Sequence, residues 1–267
     1  MFDYKKYRQS QLEILRTNSI LNMLPDGCKT VLEIGSRDGY FTKIFSEKYE
    51  KVIALDLEYP QIDMENVTPM VGDVTDISLP DNCADLVVCT EVLEHINPEL
   101  LLKACNELYR VSNKYILIGV PFQQDLRTNA TYCSNCDTIN PTTGHLSIFD
   151  KNKLYSLFPE CKINKIELVG RGQYKTNYLS YNIYKRFNFP FGSYEQEEGC
   201  VNCGEKIMPP KISLLSEFVC RGAQTLCFIH NNLFINKDKH PLWIHVLFEK
   251  ENIYDNPKND NQFNTGY

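Results

Sequence analysis

Thr30-Val31-Leu32-Glu33-Ile34-Gly35-Ser36-Arg37-Asp38-Gly39-Tyr40-Phe41 reads as a strand, a glycine turn and the first turn of a helix. The apolar run from Thr30 to Ile34 fits a strand buried in a parallel sheet. Gly35 supplies backbone angles closed to other residues and lets a ligand lie against the main chain. Helical periodicity then runs from Tyr40 to Tyr49. A second strand, Lys51-Val52-Ile53-Ala54-Leu55, ends in Asp56, about twenty residues beyond Gly35, where an acid can bind the two hydroxyls of a ribose. Together these residues describe a nucleoside site at the mouth of a parallel sheet.

A dinucleotide site would carry G-x-G-x-x-G. Here the spacing is Glu33-x-Gly35-x-x-x-Gly39, which resembles motif I (E/D-x-G-x-G-x-G) of the class I S-adenosylmethionine (SAM) methyltransferases. Val71-Gly72-Asp73-Val74 resembles the end of that family's third strand, whose Asp contacts adenine. Leu86-Val87-Val88-Cys89-Thr90-Glu91-Val92-Leu93-Glu94-His95-Ile96 resembles its fourth strand and following loop. The resemblance spans residues 28 to 125 well and the remainder loosely. It implies an α/β fold, a doubly wound, Rossmann-like sheet of seven strands, and SAM as cofactor. The positions it assigns to SAM are Glu33, Gly35, Ser36, Gly39, Asp56, Leu57, Asp73, Val74, Thr90 and Glu91, with Glu33 holding backbone or the methionyl amine. Arg37 stands where the family has its middle glycine. Its side chain must turn away from the cofactor or place its cation near the methionyl carboxylate.

The chain of 267 residues is long enough for a large core. It has 28 Lys and Arg against 34 Asp and Glu, a net charge of -6, which weighs against nucleic acid as a partner. No apolar run reaches membrane-span length. Met1-Phe2-Asp3-Tyr4-Lys5-Lys6 has no signal-peptide apolar region, so a cytoplasmic location is expected. The eleven cysteines are then thiols or metal ligands rather than disulfides.

Residues 9–24 are expected to form an amphipathic helix with Leu12, Ile14, Leu15, Ile20, Leu21 and Leu24 on its apolar face, ended by Pro25-Asp26-Gly27. Strands and helices then alternate to Pro121, the order of a doubly wound sheet. Asn97-Pro98 is expected to cap a helix running through Tyr109, and Asp150 one running to Phe158. Tyr115 to Val120 reads as a fifth strand, with Lys162–Val169 and Leu242–Phe248 as the sixth and seventh. The expected division is a SAM-binding core over 1–170, a lid over 171–240, a final core strand over 241–250 and a loosely ordered tail over 251–267. The metal-loop insertion 122–148 follows strand five, and the lid lies between strands six and seven. Both should therefore meet at the carboxyl edge of the sheet, above the ligand.

Each insertion carries one Cys-x-x-Cys: Cys133 with Cys136, and Cys200 with Cys203. Four thiolates in two such pairs suit one tetrahedral structural zinc. Cys28, Cys83, Cys89, Cys105 and Cys161 read as core filler.

Methyl transfer to oxygen gains from a general base, and histidine suits that role. His95 ends the loop after strand four. His145, in Thr143-Gly144-His145-Leu146-Ser147-Ile148-Phe149-Asp150, enters from the insertion after strand five and resembles the Gly-His…Phe-Asp element of some bacterial members of the family. These two are the candidate catalytic residues. His245, on the last strand, reads as structural. The aromatic stretch from Tyr174 to Tyr194 is either the core of a small lid or a platform for a flat acceptor or a sugar face. The expected activity is SAM-dependent O-methylation of a small-molecule or glycan-linked hydroxyl. The rival readings are a non-catalytic SAM-binding or zinc-scaffold protein and a nicotinamide-dependent oxidoreductase. No stretch specifies the acceptor or the oligomeric state.

Overall fold

The computed structural model describes residues 7–128, 130–141, 143–194, 199–235 and 240–251. The tail expected beyond residue 251 lies outside them, as does the segment Met1–Lys6.

The opening strand β1 is Thr30–Ile34, followed by helix α2 (Tyr40–Lys48) and strand β2 (Lys51–Asp56). Before them runs helix α1, Gln11–Met23. After them come β3 (Val67–Val71), β4 (Ala84–Thr90), a short 3-10 turn (Leu93–His95), α3 (Leu101–Val111) and β5 (Ser112–Pro121). The chain continues through β6 (Thr131–Tyr132), β7 (Ile139–Asn140), α4 (Lys151–Leu157) and β8 (Cys161–Val169). It ends with α5 (Tyr178–Arg186), α6 (Leu214–Leu233) and β9 (Trp243–Lys250).

Seven strands form one sheet in the order β3-β2-β1-β4-β5-β9-β8. The five on the β3 side are parallel, while β9 runs antiparallel to both β5 and β8. The order reverses between β1 and β4, and their carboxyl ends open a crevice there. Alternation of side chains across each strand sorts the core into two layers. Leu32, Ile34, Ile53, Leu55, Val87 and Ile118 pack with α3 and α4 on one face. Val31, Val52, Ala54, Leu86, Val88 and Leu117 pack with α1 and α2 on the other. The seven-stranded Rossmann-like sheet expected from the sequence is the fold of the chain. Among the described residues no helix is long and apolar enough to cross a membrane.

Two local expectations need correction. In α1 the first turns are reversed: Leu12, Ile14 and Leu15 are exposed, whereas Glu13, Arg16, Thr17 and Ser19 are buried with Ile20. The reason lies beneath the helix. Arg16 pairs with Glu13 at 2.8 Å and approaches Glu91 at 3.7 Å, and Ser19 Oγ meets His245 Nδ1 at 2.7 Å. Buried polar groups on β9 and after β4 need partners, and the polar face of α1 supplies them. Asn97, in turn, does not cap α3. Its Oδ1 accepts from Glu99 N at 3.0 Å in a separate turn, and the helix begins at Leu101. Asp150 does cap α4, accepting from Lys153 N at 2.8 Å.

Candidate active site at the carboxyl edge of the sheet

The nucleoside end is built by the turn that opened the sequence. Gly35 has φ 78° and donates its N–H to Leu55 O at 2.8 Å, tying the ends of β1 and β2 together. A Cβ there would stand 2.6 Å from Val92 Cγ2, so only glycine fits. Arg37 takes φ 42° and is exposed, while its N–H donates to Asp56 Oδ2 at 2.8 Å. The side chain has turned outward, and its backbone lies in the left-handed region that favours glycine, the residue that the motif I pattern has there. Glu58 N donates to the other oxygen, Asp56 Oδ1, at 3.4 Å, so the carboxylate is oriented by the main chain and keeps lone pairs for a diol. Ser36 is buried, and its Oγ has no hydrogen-bond partner among the described residues. Gly39 caps α2 with φ 71°. An unfilled hydroxyl, a bare backbone turn and an oriented carboxylate suit a nucleoside with a charged amino-acid arm.

Glu33 sits below this turn on β1, buried, with Thr42 Oγ1 donating to Oε2. Burial pushes its carboxyl up to about 8, with the Thr42 bond opposing. Asp73 lies just past β3, exposed, with Oδ1 accepting from Thr75 N at 2.8 Å. Val74 beside it is buried and Leu57 is exposed. Thr90 ends β4. Glu91 follows with φ 56°, and its carboxylate meets β9 and α1. Trp243 Nε1 donates to its Oε2 at 3.2 Å and Arg16 lies at 3.7 Å.

The second half of the crevice holds the two histidines. His95 closes the 3-10 turn after β4, and His145 comes from the insertion after β5. Their rings meet edge-to-face with centroids 4.7 Å apart. The loops are joined by Leu146 N and Ser147 N, which donate to Glu94 O at 2.6 and 3.2 Å. Gly144 takes φ 67°, and a Cβ there would crowd His95 Nδ1 at 3.2 Å. Burial, then neighbouring His95, brings His145 down to about 4, so its imidazole is neutral near pH 7 and weakly basic. His245, the third residue of β9, pairs with Gly119 and is fully buried against Ser19, and burial holds it to about 3.

The insertions do meet. Cys133, Cys136, Cys200 and Cys203 lie with their sulfurs within 4.8 Å of one another. Cys133 and Cys203 are 3.7 Å apart, Cys136 and Cys200 3.5 Å. Four sulfurs each about 2.3 Å from one tetrahedral ion stand roughly 3.8 Å apart. The two loops are also near copies. Asp137 N donates to Cys133 O at 2.9 Å, and Gly204 N to Cys200 O at 2.8 Å, each from a left-handed residue after the second cysteine. The set could hold a metal, and Ile207 and Tyr194 pack around it.

Sequence reasoning did not single out Glu94, Arg16 or Gln124. Glu94 stood in plain sight between Glu91 and His95, but a carboxylate in an apolar loop gives no sign of its burial. Part of the aromatic stretch, Tyr174, Tyr184, Phe191 and the buried Phe189, lines a cavity of about 310 Å³ with Arg127 and Thr176. Arg127 is held by Asp125 at 2.7 Å, and Asp125 also accepts from Thr176 N at 2.8 Å, joining the two insertions.

Comparison with known proteins agrees with this fold. Residues 32–115 match the family model of a methyltransferase domain. A SAM-dependent methyltransferase from Archaeoglobus fulgidus is 17% identical with a TM-score of 0.53, over 92% of this chain and 97% of that one. A putative methyltransferase from Bacillus halodurans is 13% identical with a TM-score of 0.52, over 89% and 99%. A Haloferax volcanii structure, a complex between the Trm112 methyltransferase activator and a putative methyltransferase, is 9% identical with a TM-score of 0.53, over 93% of each chain. No curated protein matches the chain in sequence. The resemblance read from motif I therefore finds support on two counts: residues 32–115 match a methyltransferase domain, and the fold is that of solved methyltransferases.

Proposed function

We propose that this chain is a class I methyltransferase that moves a methyl group from SAM to a hydroxyl of a small molecule or a glycan. The observation that supports it best is the meeting of two half-sites along one sheet edge. Gly35, Ser36 and Asp56 offer a nucleoside cradle, and His95 faces His145 where the next strands end. In this reading Asp56 takes the ribose hydroxyls and Asp73 the adenine amine. Glu33, Gly39, Leu57, Val74 and Thr90 complete the pocket wall and its support. Glu91 belongs to the support through its bonds to Trp243 and Arg16.

Bound SAM supplies an electrophilic methyl on a sulfonium. The protein holds donor and acceptor in line, which is worth roughly 7–11 kcal/mol in favourable cases. His95 and His145 contact the acceptor oxygen and assist loss of its proton. Residues 171–240 act as a lid, braced to the 122–148 insertion by one structural zinc on Cys133, Cys136, Cys200 and Cys203. A closed four-thiolate site would not touch the substrate. The aromatic cavity beside Arg127 is the natural seat for the acceptor's remaining bulk. A cytoplasmic setting, with reduced thiols, suits the metal brace.

Incubation with methyl-labelled SAM and a panel of hydroxyl, amine and carbon acceptors tests the reaction. Label should pass to a hydroxyl compound. His145→Ala or His95→Ala should lower that turnover by about 10²–10⁴-fold with little change in SAM affinity. Transfer confined to amines, or full turnover in both variants, would reject the assignment.

A further inference from the structure

We propose that Glu94, His95 and His145 form a divalent-cation site, open on one side, that would hold the acceptor's hydroxyl oxygen. It rests on the reading of a hydroxyl acceptor given above. The three side chains each offer one ligand atom, and those atoms lie within 4.8 Å of one another. Two independent features point to a ligand. The side chain of Glu94 is fully buried, and neither carboxylate oxygen has a hydrogen-bond partner among the described residues. A buried carboxylate without a partner is strongly disfavoured, so a partner is to be expected. The second feature is orientation. His145 Nδ1 lies 2.5 Å from Gln124 Oε1, an oxygen that can only accept. That bond fixes the proton on Nδ1 and leaves the Nε2 lone pair available, the arrangement that orients metal-ligating histidines.

The surroundings are built to keep the trio together. Leu146 N and Ser147 N both donate to Glu94 O, and Gly144 packs where a side chain would crowd His95. Glu91, three residues before Glu94, is engaged by Trp243 and Arg16 and does not join the group of ligand atoms. Arg16 on α1 is the cation facing this region, and it pairs with Glu13. His95 is exposed, so the site closes behind Glu94 and opens on the His95 side. Two imidazoles and one carboxylate suit Mn²⁺, Fe²⁺, Co²⁺ or Zn²⁺, and three protein ligands leave positions for an exogenous oxygen. A hydroxyl bound there would lose its proton to solvent near neutral pH. The resulting alkoxide would form the new C–O bond as the sulfonium's C–S bond breaks, its electron pair leaving with sulfur as a neutral thioether. The imidazoles then serve as ligands and need not carry the proton.

The site differs in kind from the four cysteines, and Mn²⁺ distinguishes them because thiolate sets disfavour it. Mn²⁺ titration of the intact protein, followed by electron paramagnetic resonance, should give one bound ion with nitrogen coupling from imidazole. Glu94→Gln and His145→Ala should each weaken binding by on the order of a hundredfold, and Gln124→Ala by about 10–100-fold. His145→Ala should also remove part of the nitrogen coupling. Absence of a bound ion in the wild type, or Mn²⁺ binding unchanged in Glu94→Gln and His145→Ala, would overturn the proposal. SAM affinity measured on the same samples keeps the two readings apart. Glu94→Gln that binds SAM normally is folded, so its loss of Mn²⁺ is specific; if Glu94→Gln does not fold, Gln124→Ala and His145→Ala decide. Mn²⁺ binding in a protein that ignores SAM would sink the methyltransferase reading while leaving the cation site in place.

Discussion

Glu33 shows how one buried side chain in the candidate cofactor site bears on stability. Burial pushes its carboxyl up to about 8 from an ordinary value of 4.5. A raised acid favours folding only while it stays protonated. The unfolded chain releases that proton above about pH 4.5, so stability attributable to Glu33 falls as pH rises from about 4.5 to 8. Glu33→Gln keeps the shape and cannot ionise. Urea unfolding without ligand should find Glu33→Gln more stable than wild type at pH 8 and no more stable at pH 4. A variant less stable at both would show that Glu33 is held charged. Gly35 makes a steric case at the same scale. With φ 78° and Val92 Cγ2 at 2.6 Å from any added Cβ, Gly35→Ala should cost about 1–3 kcal/mol. A lower thermal midpoint and weaker SAM binding would register it; an unchanged midpoint would show that β1 and Val92 can shift.

The elements were legible where periodicity and turn chemistry agree. β1, α2 and β2 follow directly from the apolar run, the glycines and Asp56. α1 was legible in extent but not in facing. Counting apolar residues puts Leu12 and Leu15 inward, yet the surface beneath is polar, and Glu13 and Arg16 take it. A hydrophobic count cannot see what a helix will land on. The cysteine loops were legible as two pairs, and their convergence followed from topology. Their near-identical backbone turns were not, because Asp137 and Gly204 share a conformation and no sequence. Metal analysis of protein prepared without chelator should find one zinc per chain in this pair of loops. Cys200→Ser should lose it and expose the lid to protease, with the far-ultraviolet spectrum of the sheet retained. Protein without zinc, or a lid equally protected in Cys200→Ser, would remove the brace.

At the scale of the molecule, the strand order places its reversal between β1 and β4, and every feature assigned to ligand binding hangs from that edge or from the two insertions around it. Parallel strands deliver their loops there, which is why a single motif near residue 35 foretold the position of distant segments. The trio of Glu94, His95 and His145 was half visible. Its histidines drew notice by type, but Glu94 becomes informative only once its burial is known. The cavity among Arg127, Tyr174 and Tyr184 was half visible: its aromatics were noticed as a possible platform, but Arg127 and Cys227 reach it from segments distant in the chain. The central claim is that this edge binds SAM through Asp56. Calorimetric titration of wild type and Asp56→Ala with SAM, S-adenosylhomocysteine and NAD tests it directly. Hydrogen bonds to a charged group contribute about 1.5–3 kcal/mol each, and 1.4 kcal/mol is tenfold in affinity. We expect SAM and S-adenosylhomocysteine to bind wild type one to one, NAD not to bind, and Asp56→Ala to weaken SAM at least tenfold. Binding of NAD in place of SAM, or an affinity for SAM that Asp56→Ala leaves unchanged, would contradict it.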